Sequence, residues 1–245
     1  MKPLNKYIQE KLIINKDYKD YRYHDNMIVV KTFNELRKII KDRYEKLGPG
    51  TKQKPIDFND IDVSNIRYFY NYNNDIGIFE ETKFKYIDIS DWDVSNVKSM
   101  RSMFFECDKL ESVGNLSYWD VSNVTDMAHM FRRCKSFNQD ISSWDVSSVT
   151  NMAYMFNLCI SFNQDLSGWN VSSVTDMRGM FSSCVSFNQD LSKWDVSNVT
   201  YMTRMFAKCK SFNQDLSKWN VSNVSWHPYM FDTCPIKEEY KPKFK

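Results

Sequence analysis

Apolar and polar positions alternate along most of this chain in a fixed order of three segments. In the stretch 125–134, Met127, Met130, Phe131 and Cys134 fall at i, i+3, i+4 and i+7, the spacing of one apolar helical stripe. Thr125 and Asp126 stand just before it, where either side chain can accept from the free N–H groups of a helix start. The next run, SFNQDIS, sets Phe137 and Ile141 among polar residues, as a half-buried strand would. Trp144, Val146 and Val149 then punctuate a polar arc that leads into the next stripe. The pattern predicts a helical turn, a short strand and an arc, and then the same three again.

The recurrence is an internal repeat. A core of the form D/N-V-S-x-V/I begins at Asp62, Asp93, Asp120, Asp145, Asn170, Asp195 and Asn220, with spacings of 31, 27, 25, 25, 25 and 25. Trp92, Trp119, Trp144, Trp169, Trp194 and Trp219 keep this register, as do Cys107, Cys134, Cys159, Cys184, Cys209 and Cys234. Six Met-Phe pairs do the same, from Met103-Phe104 through those ending in Phe156, Phe181 and Phe206 to Met230-Phe231. One such unit is too small to bury its own apolar stripe, whereas a stack of them buries a continuous core. The registered Trp, Phe and Cys residues are therefore the expected core.

The ends break the pattern. MIVV (Met27–Val30) reads as a strand, and Thr32 with Glu35 forms a capping box for a helix. Phe33, Leu36, Ile40, Tyr44 and Leu47 lie on one face of that helix, and Gly48-Pro49-Gly50 stops it. At the far end Trp226-His227-Pro228 replaces the usual stripe start, and Pro235 ends the repeats. The expected organisation is a basic tail or leader at 1–26, a strand–helix cap at 27–55, the repeat array at 56–235 and a tail at 236–245.

The run FNQDLSKWDVSNVTYMTRMFAKC resembles the repeat of the BspA-like leucine-rich-repeat surface proteins, and the resemblance spans residues 56–235. It implies an α/β fold of leucine-rich-repeat type. That fold is a solenoid of about seven 25-residue repeats, each a short parallel strand plus a helical turn. It also implies a non-enzymatic scaffold for adhesion or interaction, holding a protein or a polysaccharide. Residues 1–10 resemble a second kind of element, the capsid-targeting leaders of proteins packaged in the heads of large tailed phages. Ile8-Gln9-Glu10 matches the Leu/Ile-x-Glu triplet after which such leaders are cut, which marks Glu10 as a processing residue. The alternative function is thus a virion component, packaged or displayed on the particle.

Composition narrows the classes. Of 245 residues, 42% are hydrophobic and 26% charged, the ordinary range of a folded chain. The net charge is +2, with fourteen Lys/Arg against seven Asp/Glu in residues 1–55. No groove-reading motif accompanies these charges, so nucleic acid is not an expected partner. No run approaches the ~18 apolar residues of a membrane span. The opening MKPLNKYIQEKLIINKDYKD lacks the apolar segment and cleavage site of a secretory signal. A cytoplasmic or virion-associated monomer is therefore expected over a classically secreted one.

Candidate chemistry is sparse. The six cysteines occupy equivalent apolar positions and are expected to be reduced and buried. No CxxC half-site occurs, and His24, His129 and His227 share no register, so neither a zinc site nor a Cys–His nucleophile is indicated. Asp140, Asp165, Asp190 and Asp215 would stack into a carboxylate ladder, but glycine-rich calcium turns are missing, and turn bonding is the expected role. No metal, cofactor or enzymatic activity is expected. Two binding candidates remain. Tyr154, Arg178 and Arg204 lie where repeats differ, and such residues are enriched at binding hot spots. Gln164, Gln189 and Gln214 lie where repeats agree, and they would either meet a repeating glycan or tie neighbouring repeats together.

Overall fold

The computed structural model of the chain describes residues 27–71, 76–80 and 82–244. The expected leader with Glu10 lies outside these residues. The elements are β1 (Ile28–Val29), α1 (Phe33–Leu47), β2 (Ile56–Asp57), β3 (Ile61–Asp62), β4 (Tyr70–Asn71), β5 (Ile76–Gly77) and β6 (Ile87–Asp88). A single 3₁₀ turn follows at Glu238–Tyr240. β1 pairs with β3 and β2 with β6, both parallel, while β4 and β5 form an antiparallel pair.

α1 forms for the reasons its sequence supplies. The Thr32 hydroxyl accepts from Glu35 N–H, and the Glu35 carboxylate accepts in return from Thr32 N–H, so two orphan donors are satisfied reciprocally. Leu36 and Ile40 are fully buried. The helix ends where Gly48, at φ +73°, donates to Tyr44.

From Tyr68 onward, successive repeats join through a ladder of parallel bridges: Tyr68 to Ser99, Ser99 to Asp126, then Asn151, Asp176, Tyr201 and Trp226. This corrects two expectations. The bridge falls just before each Met, and SFNQDIS forms no strand. The stripe itself is not helical. Residues 128–133 and their counterparts are consecutive turns, with left-handed backbone at two positions four residues apart. One column holds Ser102, His129, Tyr154, Gly179, Arg204 and Tyr229; the other holds Glu106, Arg133, Leu158, Ser183, Lys208 and Thr233. A helix would bond each N–H four residues back within the chain. Here the N–H groups of Met127, His129, Phe131 and Arg133 donate instead to the carbonyls of Asn151, Ala153, Met155 and Asn157 in the next repeat.

The core is a set of columns. Phe131, Phe156, Phe181, Phe206 and Phe231 stack with ring centroids 5.6–5.8 Å apart. Phe137, Phe162, Phe187 and Phe212 form a second column at 6.0–6.1 Å. Within a repeat the two columns meet, as in Phe181 and Phe187 at 4.2 Å. Trp144, Trp169 and Trp194 are each 3% exposed, and their indole N–H groups donate to Leu116, Ile141 and Leu166 one repeat back. Phe156, Phe181, Phe206, Cys159, Cys184 and Cys209 are fully buried.

Candidate interaction surface

Most of what the repeats share is engaged by the neighbouring repeat. Gln164 Nε2 donates to the carbonyl and side-chain oxygens of Asn138; Gln189 does the same to Asn163 and Gln214 to Asn188. The three glutamines are half-buried, and their amides tie one repeat to the one before. The aspartates of this segment close local turns. Asp140, Asp165, Asp190 and Asp215 accept from the N–H two residues on, of Ser142, Ser167, Ser192 and Ser217. Those serine bonds hold all four carboxyls below their ordinary range. Among the described residues no cluster of three or more His, Cys, Asp or Glu could hold a metal ion.

The cysteines are free, and Cys107, Cys134, Cys159, Cys184 and Cys209 are buried, while Cys234 is half-buried. The thiols of Cys159, Cys184 and Cys209 donate to the carbonyls of Phe131, Phe156 and Phe181. Burial pushes the Cys107 thiol up to about 12 and raises Cys134, Cys159, Cys184 and Cys209 as well. These sulfurs are poor nucleophiles, because the reactive thiolate is disfavoured and shielded.

The turn side is different. Here the side chains vary between repeats, and cations lie against rings. The Arg132 guanidinium lies 5.6 Å from the centre of the Tyr154 ring, Arg178 lies 5.3 Å from Tyr201, and Arg204 lies 5.3 Å from Tyr229. In each case the ring belongs to the repeat after the arginine. His129 and Tyr154 stack at 5.2 Å. The Tyr154 ring continues over Gly179, where an added Cβ would sit 2.4 Å from a ring carbon. The Arg178 Nε also donates to Asp176 at 2.9 Å. That carboxylate chiefly raises the Arg178 pKa and fixes the guanidinium over Tyr201.

Sequence reasoning placed Tyr154, Arg178 and Arg204 together, and the structure sets them on this same side in separate pairings. Tyr154 is half-buried against His129 and Gly179, whereas Arg178 and Arg204 are exposed. It overlooked Tyr201, 43% exposed, and Trp226, 60% exposed. Both occupy the position held by Asp126, Asn151 and Asp176, whose side chains accept from the N–H two residues on. The loss of that turn-forming side chain was the available signal.

A family model described as Mycoplasma protein of unknown function, DUF285, matches residues 73–176 and again 165–239. The chain belongs to this family. Nothing matches it among curated proteins or among solved structures. The family's two matched segments contain the whole aromatic–arginine row from His129 to Tyr229. No helix among the described residues is long and apolar enough to cross a membrane.

Proposed function

We propose that the chain is a BspA-like, leucine-rich-repeat-type solenoid, with α1 covering its first face, that acts as a non-enzymatic scaffold for a protein partner. The partner lies along the turn-side row and presents carboxylates to Arg178 and Arg204 and apolar surface to Tyr201 and Tyr229. One observation carries this reading. The uniform amide ladder is engaged within the protein, whereas the two arginines and Tyr201 and Tyr229 remain exposed. Exposed Arg and Tyr are the residue types that dominate binding energies at interfaces, and a guanidinium fork matches a carboxylate; Arg178, already bonded to Asp176 through Nε and Nη2, offers its remaining N–H edge. On the glutamine ladder the amide N–H groups are already spent on the neighbouring repeat, which leaves a polysaccharide chiefly the side-chain carbonyls.

The test uses a partner isolated on the immobilised chain and confirmed by direct titration. Arg178→Ala combined with Arg204→Ala should weaken it at least tenfold, while Gln164, Gln189 and Gln214 changed together to Ala should leave the affinity within about twofold. The reverse outcome would move the site to the amide ladder.

A further inference from the structure

The direction of the bonds between repeats gives the array two unlike ends. Along the turn side, each repeat directs four alternate N–H groups toward the next. Met202, Arg204, Phe206 and Lys208 donate to Trp226, Pro228, Met230 and Asp232. The counterparts in the last repeat are His227, Tyr229, Phe231 and Thr233. Among the described residues no acceptor meets any of these four N–H groups. At the other end, Arg37 of α1 donates to the carbonyls of Gly77 and Glu80, so an arginine serves part-buried acceptors there. No equivalent covers the donors.

The donor edge is also shaped. The tail turns back beyond it: Phe244 stacks on His227 at 3.8 Å, and the Lys241 ammonium lies 5.9 Å from the Phe231 ring centre. Between tail and edge lies a cleft of about 400 Å³ whose lining includes His227, Tyr229, Phe231, Glu238, Lys241 and Phe244, with the Lys241 ammonium donating to the Glu238 carboxylate at 2.5 Å. Trp226 and Tyr229, 60% and 65% exposed, flank it. Successive N–H groups around a left-handed residue form a concavity that attracts anions. Aligned bonds behind them leave partial positive charge at the N–H end, as at a helix N-terminus.

We infer that this edge binds an acidic peptide segment of a partner protein as one further rung. In the interior, peptide carbonyls at alternate residues fill these positions, so an added chain offers acceptors at the right repeat. Glutamate or aspartate side chains on it complement the donor edge and the four lysines of the tail, Lys237, Lys241, Lys243 and Lys245, which outnumber Glu238, Glu239 and the neighbouring Asp232. A second copy docked head-to-tail fits less well, because α1 occupies the opposite end. The site adjoins the aromatic–arginine row and shares Tyr229 with it, but it binds through the edge amides and the tail rather than through the arginines.

Amide NMR of the full chain tests it, with blocked hexaglutamate as the probe and blocked hexaglutamine and inorganic phosphate as controls. The amides of His227, Tyr229, Phe231 and Thr233 should shift together and saturate with hexaglutamate, while interior repeats stay fixed and report an intact fold. Lys241→Glu with Lys243→Glu should weaken the binding at least fivefold. The inference is overturned if those four amides do not respond, if hexaglutamine binds equally, or if phosphate alone reproduces the shifts. Concentration-dependent self-association that moves the same amides without any peptide would also overturn it, in favour of a second copy.

Discussion

Replacing Phe181 with Ala probes the stacked core most directly. The ring is fully buried and touches four others: Phe156 at 5.8 Å, Phe206 at 5.6 Å, Phe187 at 4.2 Å and Trp194 at 6.2 Å. A buried Phe→Ala change costs about 3–5 kcal/mol. Ring–ring contacts add roughly 0.5–1.5 kcal/mol each beyond area burial when isolated pairs are measured, so the upper end, about 4–5 kcal/mol, is expected. Phe231 is the control. It occupies the same register in the last repeat, is half-buried, and stacks on Phe206 alone among the phenylalanines of its column, at 5.7 Å. Phe231→Ala should cost about 1–2 kcal/mol, because most of its environment is already open. Urea unfolding followed by tryptophan fluorescence and far-ultraviolet circular dichroism reads both. With a slope of about 3 kcal/mol/M, the first change should lower the midpoint by about 1.5 M and the second by under 0.7 M. Because stability in a repeat array is a sum of neighbour terms, the two probes should also cease to coincide for Phe181→Ala. Equal shifts for the two variants, or a shift near zero at Phe181, would refute the columnar core.

Gly179→Ala should destabilise by about 1–2 kcal/mol, since the position is left-handed and its Cβ would strike the Tyr154 ring. Tyr154→Ala in the same chain should recover part of that loss, and strict additivity would show that the ring does not cover the glycine. With a thiol reagent at pH 8, Cys234 should react first and the five buried cysteines only on unfolding; six equal rates would contradict this. The carboxyls of Asp140, Asp145, Asp165, Asp190, Asp195 and Asp215 are all lowered by serine bonds. A depressed folded-state pKa gives stability that is present above the unfolded value of about 3.9 and lost as pH falls through the folded one. Unfolding free energy should thus be flat from pH 7 to 5 and decline below about pH 4. Asp195→Asn, which copies the natural Asn170 and Asn220, should leave stability at pH 7 within about 0.5 kcal/mol and flatten the acid decline; a larger loss at neutral pH would mean the charge itself is needed.

The repeat register and the core were legible because side-chain identity carries them. Trp, Phe, Met and Cys recur at fixed intervals only where they are buried, and α1 announced itself through Thr32, Glu35 and Gly48. The backbone path between those residues was not legible. Two consecutive turns place Met127, Met130, Phe131 and Cys134 on one side as well as a helix would, so the apolar spacing could not separate the two. What distinguishes them is the left-handed backbone at His129 and Arg133, and neither residue type advertises it. Gly179 does, but only once in the column. The strand was misplaced for a related reason: Phe137 and Ile141 alternate because Phe137 enters the second ring column and Ile141 enters the core, with no ladder to enforce it.

Variation between repeats is, by itself, a weak pointer to a binding site. A residue that bonds to a neighbouring repeat must match its partner there, so Asn138, Gln164, Trp169 and Cys184 are held uniform by stacking alone. Turn-side residues escape that constraint and would differ even with no partner to meet. Their particular pairing is the stronger observation. Three arginines rest on rings one repeat further on, and an exposed contact of this kind stabilises by only about 0.5–1 kcal/mol. Such pairings therefore add little to the cohesion of the array, which the ring columns and backbone ladder already provide. What they do is hold long, flexible guanidinium groups in place beside exposed tyrosines. A side chain already held in one conformation loses less freedom on binding. The row is thus better suited to presenting charge to a partner than to joining repeats, and the donor edge at Tyr229 lies where that row ends.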